Sequence, residues 1–182
     1  MPDYISDEVS IDHVVKSQCG DVLDQWRKLK TQHFAPSWQQ MDLSVLPSDV
    51  IPYIRVVDVL DNGEVFKYRF WGTGLSEIFG IERTGQLMHE PKGWPRGTGL
   101  GECAKVVALR QPVAFTRQAR ATTSERPFPT VVSCGIRLPL SVDGEQVTNV
   151  LSFCDFGVER ATWLRLFANH PHSEKPPPRP RG

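Results

Sequence analysis

The sequence predicts an α+β domain, in which helices pack on one face of a five-stranded antiparallel sheet. Between Val65 and Gly80 the spacing of apolar residues changes from the alternation of a strand to the spacing of a helix. The turn signals Asp-Asn-Gly at 61–63 and Asp-Gly at 143–144 are typical of hairpins that join neighbouring antiparallel strands. Strand-like segments follow the order strand, strand, helices, strand, strand, strand.

Length and charge narrow the class of protein further. A chain of 182 residues is long enough for one domain with a substantial core. Lysine plus arginine number 21, and aspartate plus glutamate also number 21, so no overall field would attract nucleic acid. No apolar run approaches the roughly 20 residues of a membrane-spanning helix, and the N-terminal stretch is acidic where a secretory signal would be basic. We therefore expect a cytoplasmic protein that binds neither nucleic acid nor membrane.

The spacing of the cysteines agrees with a cytoplasmic location. Cys19, Cys103, Cys134 and Cys154 are scattered through helix-like and strand-like segments without a CxxC spacing. This pattern predicts reduced and mostly buried thiols, and no disulfide framework.

The N-terminal part is predicted to be an arm followed by a helix. Residues 1–18 are rich in aspartate and glutamate and poor in large apolar groups, so we expect an acidic, flexible arm. From Asp21 to Lys30 the spacing is helical. The apolar face of this helix comprises Val22, Leu23, Trp26 and Leu29.

The first two strands are predicted to form a hairpin. Residues 53–60 are apolar and β-branched, and the turn at 61–63 leads directly into the next strand. Because side chains alternate along a strand, Phe66, Tyr68 and Phe70 should share one face, opposite Lys67 and Arg69.

A corner and a short helix follow this hairpin. Gly72 breaks the strand, Thr73 is a candidate N-cap, and a helix over 73–79 should end at Gly80. Residues 81–101 hold several glycines and prolines and predict a long irregular connection.

The second half of the chain supplies the remaining strands. A helix is expected over 102–110, and a C-terminal helix within 157–168. The proline-rich residues 169–182 should form a disordered tail. The strands are predicted at 113–121, 131–140 and 146–153.

Several of these pieces together resemble a known family. Tyr-Arg-x-x-Gly-Thr at 68–73, followed by Phe-Gly at 79–80 and Thr-Gly at 84–85, is similar to the signature of the short bacterial PAS-type domains of the PAS_5 family. Trp-Arg-x-Leu at 26–29 resembles the leading helix of that family, and Leu-Pro-Leu at 138–140 resembles part of its late hairpin. The resemblance covers about residues 20 to 155 and implies a PAS-like domain over 19–156, led by a cap helix.

The resemblance also implies a ligand cavity between sheet and helices. In a PAS-type fold the aromatic strand face would line it, and plain core packing is the alternative explanation of that face. The residues predicted to line the cavity are Phe66, Tyr68, Phe70, Phe79, Trp94 and Val106. The ligand is not named by the sequence, and no cofactor is predicted.

The leading helix offers a second candidate surface. In a PAS-type fold such a helix caps the sheet or pairs with its copy, so Val22, Trp26 and Leu29 are predicted to contact a partner, with a homodimer expected. Packing onto the chain's own sheet is the equally weighted alternative.

Charged and metal-ligating residues offer further candidate sites. Arg69 could bind an anion, and the favoured alternative is a local pair with a carboxylate. His89 and Cys103 are the residues that a haem or metal could recruit, but their spacing favours solvation and packing, so no metal site is predicted. A basic stripe is interpreted as solvated surface; it comprises Arg110, Arg117, Arg120, Arg126 and Arg137.

No catalytic residue is predicted, because neither GxSxG nor HExxH occurs. The resemblance implies a stand-alone sensory or regulatory module in signal transduction, binding a small molecule or a protein partner. The alternative is a non-catalytic interaction or dimerisation scaffold whose cavity is filled by side chains. An enzyme without a recognisable motif is a third and weaker hypothesis.

Overall fold

A computed structural model describes residues 3–89, 99–120 and 130–168 of the chain. This part forms one antiparallel sheet in the spatial order β1-β4-β5-β6-β2-β3. Its strands are β1 (Asp3–Val9), β2 (Ile54–Leu60), β3 (Val65–Trp71), β4 (Val113–Arg120), β5 (Val131–Leu140) and β6 (Asn149–Asp155). Its helices are α1 (Ile11–Val14), α2 (Gln18–Leu29), α3 (Thr73–Phe79), α4 (Leu100–Leu109) and α5 (Arg160–Ala168). The fold is α+β, with helices packed on an antiparallel sheet, as predicted.

The prediction of five strands and a flexible arm is wrong at the N-terminus, because the described sheet has a sixth strand, β1. β1 pairs antiparallel with β4 along its whole length. Its side chains are mostly polar, and the large apolar Ile5 is 51 % exposed. The strand forms by backbone pairing with β4 and lacks the apolar alternation of a half-buried strand, so its hydrophobic pattern gives no signal of it.

Both predicted hairpins are confirmed. The turn joining β2 to β3 has positive φ at Asp61, Asn62 and Gly63, with values of 47°, 57° and 96°. Aspartate, asparagine and glycine tolerate this left-handed region better than other residues, which explains the sequence signal. β5 and β6 are antiparallel neighbours across the turn that contains Gly144, whose φ is 76°.

The sheet separates two packing layers, which we name by the helix that each faces. The outer face is the side covered by α2, and its β5 and β6 side chains are buried. Trp26 of α2 is 4 % exposed, and its Nε1 donates to the carbonyl oxygen of Pro139 in β5 at 2.7 Å. The apolar residues of this layer are Val22, Leu23, Ile136, Leu138, Leu140, Leu151 and Phe153.

The inner face is the side that faces α4. Glu102 and Cys103 of α4 both contact Arg137, which extends from β5 on this side. Strand residues directly opposite one another share a face, so the pairing register assigns the remaining side chains to the inner or outer face.

A bulge in β3 changes the predicted aromatic face. The β2–β3 register shifts between Val56 and Val57, which pair with Phe70 and Tyr68 respectively. Arg69 is the extra residue, so Tyr68 lies on the inner face and Phe70 lies on the outer face. The prediction that Phe66, Tyr68 and Phe70 share one face is therefore wrong for Phe70. Trp71 takes its place, with its ring centroid 5.1 Å from that of Tyr68.

α5 lies next to α3 and packs on an aromatic residue that follows β6. Trp163 of α5 is fully buried, with its ring centroid 5.3 Å from that of Phe156. α3 ends at Gly80 with a φ of 66°, which confirms the predicted stop. Gly72, and not Thr73, is the N-cap residue of α3.

Within the described ranges, no helix combines the length and the apolar character needed to span a bilayer.

Candidate functional site

A row of polar side chains crosses the inner face of the sheet. Arg55 of β2 lies opposite Trp71 of β3 on one side and opposite Ser152 of β6 on the other. Ser152 in turn lies opposite Arg137 of β5. Four neighbouring strands thus place two guanidinium groups, an indole and a hydroxyl in one row.

Arg137 is the most deeply buried member of this row, with no exposed side-chain surface. Its Nε and Nη2 donate to Oε2 of Glu102 at 2.8 and 2.5 Å, and its Nη1 donates to Ser152 Oγ at 2.6 Å. Nη1 also lies 3.4 Å from Cys103 Sγ. Burial lowers the pKa of Arg137, but Cys103 and Glu102 outweigh that effect, so its pKa is raised. The guanidinium therefore carries its charge inside the core.

Arg117 of β4 shares the same carboxylate. It is 5 % exposed, and its Nη2 donates to Glu102 Oε2 at 2.8 Å. Its Nη1 donates to Cys154 Sγ at 3.0 Å, and its guanidinium carbon lies 4.0 Å from the ring centroid of Phe115. A Cβ at the facing position Gly135 would lie 2.5 Å from Phe115 Cε2, so a glycine makes room for this stacked ring.

Glu102 links the cluster to α4 and β1. Burial alone would raise the pKa of Glu102, but the charges of Arg117 and Arg137 overcome it and hold the pKa far below its ordinary value. Its other oxygen, Oε1, accepts a hydrogen bond from Ser6 Oγ in β1 at 2.7 Å. With both oxygens engaged and a depressed pKa, this carboxylate serves as a counter-ion and is poorly suited to act as a general base.

Arg55 is buried like the other two arginines, with 9 % of its surface exposed, but its contacts differ from theirs. Among the described residues it forms no salt bridge, and its Nε is buried without a hydrogen-bond acceptor. Burial lowers the pKa of Arg55, and the nearby positive charges of Arg137 and Arg117 lower it further. A buried cation without a counter-ion is energetically unfavourable unless a ligand, an ion or a water molecule supplies the missing acceptor.

Two further polar groups on the inner face lack partners among the described residues. Trp71 Nε1 is buried without an acceptor, and it is carried by the residue paired with Arg55. Ser133 Oγ is also buried and without a partner, and Ser133 lies opposite Arg117. The unpartnered groups therefore belong to the same polar cluster. We define the inner-face cluster as Arg55, Trp71, Glu102, Arg117, Ser133, Arg137 and Ser152.

The residues predicted to line a ligand cavity fall into three groups. Phe66, Tyr68 and Val106 are buried in the core. Phe79 is half-buried, with its ring centroid 6.1 Å from that of Trp71. Phe70 lies on the outer face, as described above, and Trp94 lies outside the described residues. A ligand-binding role for these residues stays a prediction.

The predicted partner residues of the leading helix pack onto the chain's own sheet. Val22 and Trp26 are buried against the outer face, while Leu29 is half-buried. This arrangement is the alternative that the sequence left open. A partner role for these side chains stays a prediction, and it would require α2 to separate from the sheet.

Two groups of charged residues lie in different environments from one another. Arg69 Nε donates to Asp58 Oδ1 at 2.5 Å, which confirms the predicted pairing with a carboxylate. The interpretation of the basic stripe as solvated surface is wrong for Arg117 and Arg137, which are core residues. Each arginine shares its strand face with small or apolar residues two positions away, Phe115 and Ala119 for Arg117 and Gly135 for Arg137, but this pattern alone does not distinguish a buried arginine from an exposed one.

The other sequence-based candidates add no second site. Cys103 is buried, and burial raises the pKa of its thiol. Within the part of the chain that the structure describes, no group of three or more histidine, cysteine or acidic side chains is placed to hold a metal ion.

Comparison with known proteins gives few likenesses. No protein-family model matches the chain, and no curated protein matches it. One similar solved structure is a fungal LOV domain photoreceptor from work on a pathway integrating blue light and oxidative stress. It is 16 % identical, with a TM-score of 0.39, and the match covers 79 % of this chain and 94 % of that one. Another is an RNA-binding light-oxygen-voltage receptor, 13 % identical, with a TM-score of 0.41, covering 92 % of this chain and 43 % of that one. At these TM-scores, neither likeness bears on what this chain binds.

Proposed function

We propose that the chain is a PAS-type sensory or regulatory module that binds a small ligand between the inner face of its sheet and α4. The single observation that carries this proposal is Arg55, a buried cation whose Nε has no acceptor among the described residues. Leaving such a donor unpaired costs about 1–3 kcal/mol, and more for a charged group. A bound ligand would remove that cost. Membership of the PAS_5 family stays a prediction from the signature at 68–85.

A ligand at this position could change the arrangement of α4. Glu102 connects Arg117 and Arg137 to β1 through Ser6, and Lys105 of α4 forms a second ion pair with Glu8 of β1. A ligand shifts a protein between two arrangements only by binding one of them more tightly. Ligand contacts that compete with Glu102 for the arginines would satisfy this condition, because they weaken one of the links between α4 and the sheet.

Native mass spectrometry of the protein purified from its own host tests the proposal. We expect a small molecule that remains bound under native conditions, is released by denaturation, and raises the melting temperature when added back. A preparation that is uniformly empty, together with a compound library that leaves the melting temperature unchanged, would rule out ligand binding. The sensory role would then lose its basis.

The second candidate is an interaction scaffold whose interior is filled by side chains. It is supported by the burial of Leu75, Ile78 and Val106, since buried side chains in protein interiors are usually closely packed. This function requires a partner surface and no ligand. Homodimerisation and a cytoplasmic location stay predictions. Sedimentation at micromolar concentrations checks the dimer, since a monomer mass throughout would exclude a stable one.

A further inference from the structure

Resting on the proposed function, we infer that the ligand of the inner-face cluster is a small oxyanion whose carboxylate or phosphate oxygens accept hydrogen bonds from Arg55. The charge balance is the first step. Among the described residues the cluster holds three guanidinium groups, Arg55, Arg117 and Arg137, and one carboxylate, Glu102. Glu102 pairs with Arg117 and Arg137, whereas the charge of Arg55 has no counter-ion among the described residues, which favours an anion over a neutral or cationic ligand.

Hydrogen-bond chemistry is the second step. Arg55 Nε and Trp71 Nε1 are the unpartnered groups of the polar row, and both are obligatory donors. The nearest hydroxyl in the row, Ser152 Oγ, already accepts from Arg137 at 2.6 Å. The missing partner must therefore be an acceptor. A water molecule would accept hydrogen bonds but would not neutralise the charge surplus, whereas an oxyanion does both.

Thermal melting of the full chain tests this inference. Inorganic phosphate, succinate, sodium chloride and glycerol are compared at matched ionic strength, so that the two oxyanion chemistries are separated from screening and from a neutral solute. We expect one oxyanion to raise the melting temperature of the natural protein saturably, by about 5 °C or more. Because sulfate-like anions stabilise many proteins by exclusion from the surface, the response must be measured against variants.

Arg55→Met is the decisive variant. Without ligand it should melt at or above the temperature of the natural protein, because an uncompensated buried charge has been removed, and it should lose the saturable oxyanion response. Arg55→Lys keeps the charge but not the planar fork, and should retain only a weakened response. Arg160→Met is the matched control, since Arg160 is 51 % exposed and pairs with Glu77 on the surface. It should respond as the natural protein does.

Two results would overturn the inference, and they differ from failure of the proposed function. An oxyanion response that persists unchanged in Arg55→Met places the anion elsewhere. A neutral or cationic host molecule found by native mass spectrometry, with no response to either oxyanion, leaves ligand binding intact but excludes an anion.

A separate observation on the outer face supports a second inference. Cys19 in the first turn of α2 and Cys134 of β5 have their Sγ atoms 3.8 Å apart, and both thiols are free. Ser17 is the N-cap residue of α2, and its Oγ lies 3.3 Å from Cys134 Sγ. Cys19 is completely buried, whereas Cys134 is half-buried and so can meet a small oxidant.

The geometry points to Cys19 and Cys134 as a peroxide-oxidisable dithiol pair that ties α2 to the sheet. The Cys134 thiolate attacks one oxygen of a hydroperoxide, the O–O bond breaks, and sulfenic acid forms while the other oxygen leaves as water or an alcohol after taking up a proton. Cys19 sulfur then attacks the sulfenic sulfur, loses its proton and expels water. The two sulfurs give up two electrons in total, and the peroxide accepts them.

The local chemistry assigns these roles. Hydrogen bonding from Cys19 and Ser17 outweighs burial and lowers the pKa of Cys134 to about 7. The same interaction raises the pKa of Cys19. Cys134 is therefore the thiolate that reacts first, and Cys19 is the thiol that resolves it. Closure to a bond of about 2.05 Å requires the sulfurs to approach by less than 2 Å from their 3.8 Å separation.

Treatment of the reduced full chain with hydrogen peroxide tests this pair. We expect an intact mass lower by two hydrogens and a peptide linking Cys19 to Cys134 after proteolysis without reductant. Cys19→Ser should stop at the sulfenic acid, which a cyclic diketone traps at Cys134. Cys154→Ser is the matched control and should still form the link. Oxidation confined to Cys103 or Cys154, or exclusively intermolecular disulfides, would overturn the assignment.

Discussion

The two faces of the sheet are stabilised by different chemistry. The outer face under α2 is an apolar layer in which Ile136, Leu138 and Leu151 are fully buried. The inner face under α4 holds charged side chains at the corresponding depth, and Arg137 there has no exposed surface. Consecutive residues of one strand belong to opposite faces of the sheet, because successive side chains of a strand point to opposite sides.

The apolar outer face and the charged inner face are therefore expected to contribute differently to stability and to binding. An apolar layer is stabilised by removing surface from water, and its residues need only the right size and polarity. Buried charges contribute little net stability, and removing one partner of a buried ion pair is strongly unfavourable. A face that retains several such charges is therefore better suited to binding than to holding the fold together, and the variants below test that division.

The largest effect is expected at the carboxylate of the inner face. Glu102→Gln leaves Arg117 and Arg137 without their shared counter-ion, so the free energy of unfolding should fall by about 3–5 kcal/mol. Urea denaturation measures this loss. Glu77→Gln is the matched control, because Glu77 is 59 % exposed in its pair with Arg160, and its loss should cost less than about 1 kcal/mol. Equal effects of the two variants would contradict the role given to Glu102.

The outer face should show a smaller effect for one polar contact. Trp26→Phe keeps an aromatic ring in the apolar layer but removes the Nε1 donor to Pro139, and should lower the free energy of unfolding by about 1–3 kcal/mol. Trp38→Phe is the control, since Trp38 is half-buried and its indole donates to no described residue. If the control loses as much stability, ring volume and not the hydrogen bond is responsible.

The elements visible in the sequence are those with a strong apolar period or a turn signal. The predicted limits of β5 at 131–140 and of α3 at 73–79 agree with the structure for this reason. β1 was missed because backbone pairing holds it and its side chains are polar. The bulge at Arg69 reversed the face of Phe70, and no residue type in that strand signals a bulge.

The candidate site was less predictable than the fold. Arg117 and Arg137 have the residue type of a solvated surface, and only their pairing with Glu102 across 15 and 35 positions makes burial tolerable. Such a long-range partnership cannot be derived from local spacing. Arg55 is harder still to identify as a site residue from the sequence, because what marks it is the lack of a partner among the described residues.

The inner-face ion pairs should also make stability depend on acid. The pKa of Glu102 is lower in the folded protein than its ordinary value of 4.5, so its contribution is fully present above about pH 5.5. As pH falls through 4.5 toward the lower folded value, the unfolded state takes up the proton first. The free energy of unfolding should then decline by up to about 1.4 kcal/mol per pH unit from this group.

Denaturation of the natural protein and of Glu102→Gln between pH 3 and pH 7 separates this contribution from those of other carboxylates. The difference in unfolding free energy between the two proteins should shrink as pH falls below 4.5. A constant difference would show that Glu102 takes up a proton equally in both states.

The smallest effect concerns the strand that the sequence did not reveal. Ser6 Oγ in β1 donates to Glu102 Oε1 at 2.7 Å, and Ser6 is only half-buried, so water can partly replace it. Ser6→Ala should therefore lower the free energy of unfolding by about 1 kcal/mol. If β1 belongs to the inner-face cluster, this loss must depend on the carboxylate.

A double-mutant cycle measures that dependence directly. In the Glu102→Gln background, Ser6→Ala should cost clearly less than in the natural protein, because the charged acceptor has already been removed. Adding the two single losses should therefore overestimate the loss in the double variant. Strict additivity would mean that Ser6 and Glu102 contribute to stability independently of each other, and that movement of Glu102 has no route to the N-terminal strand through Ser6.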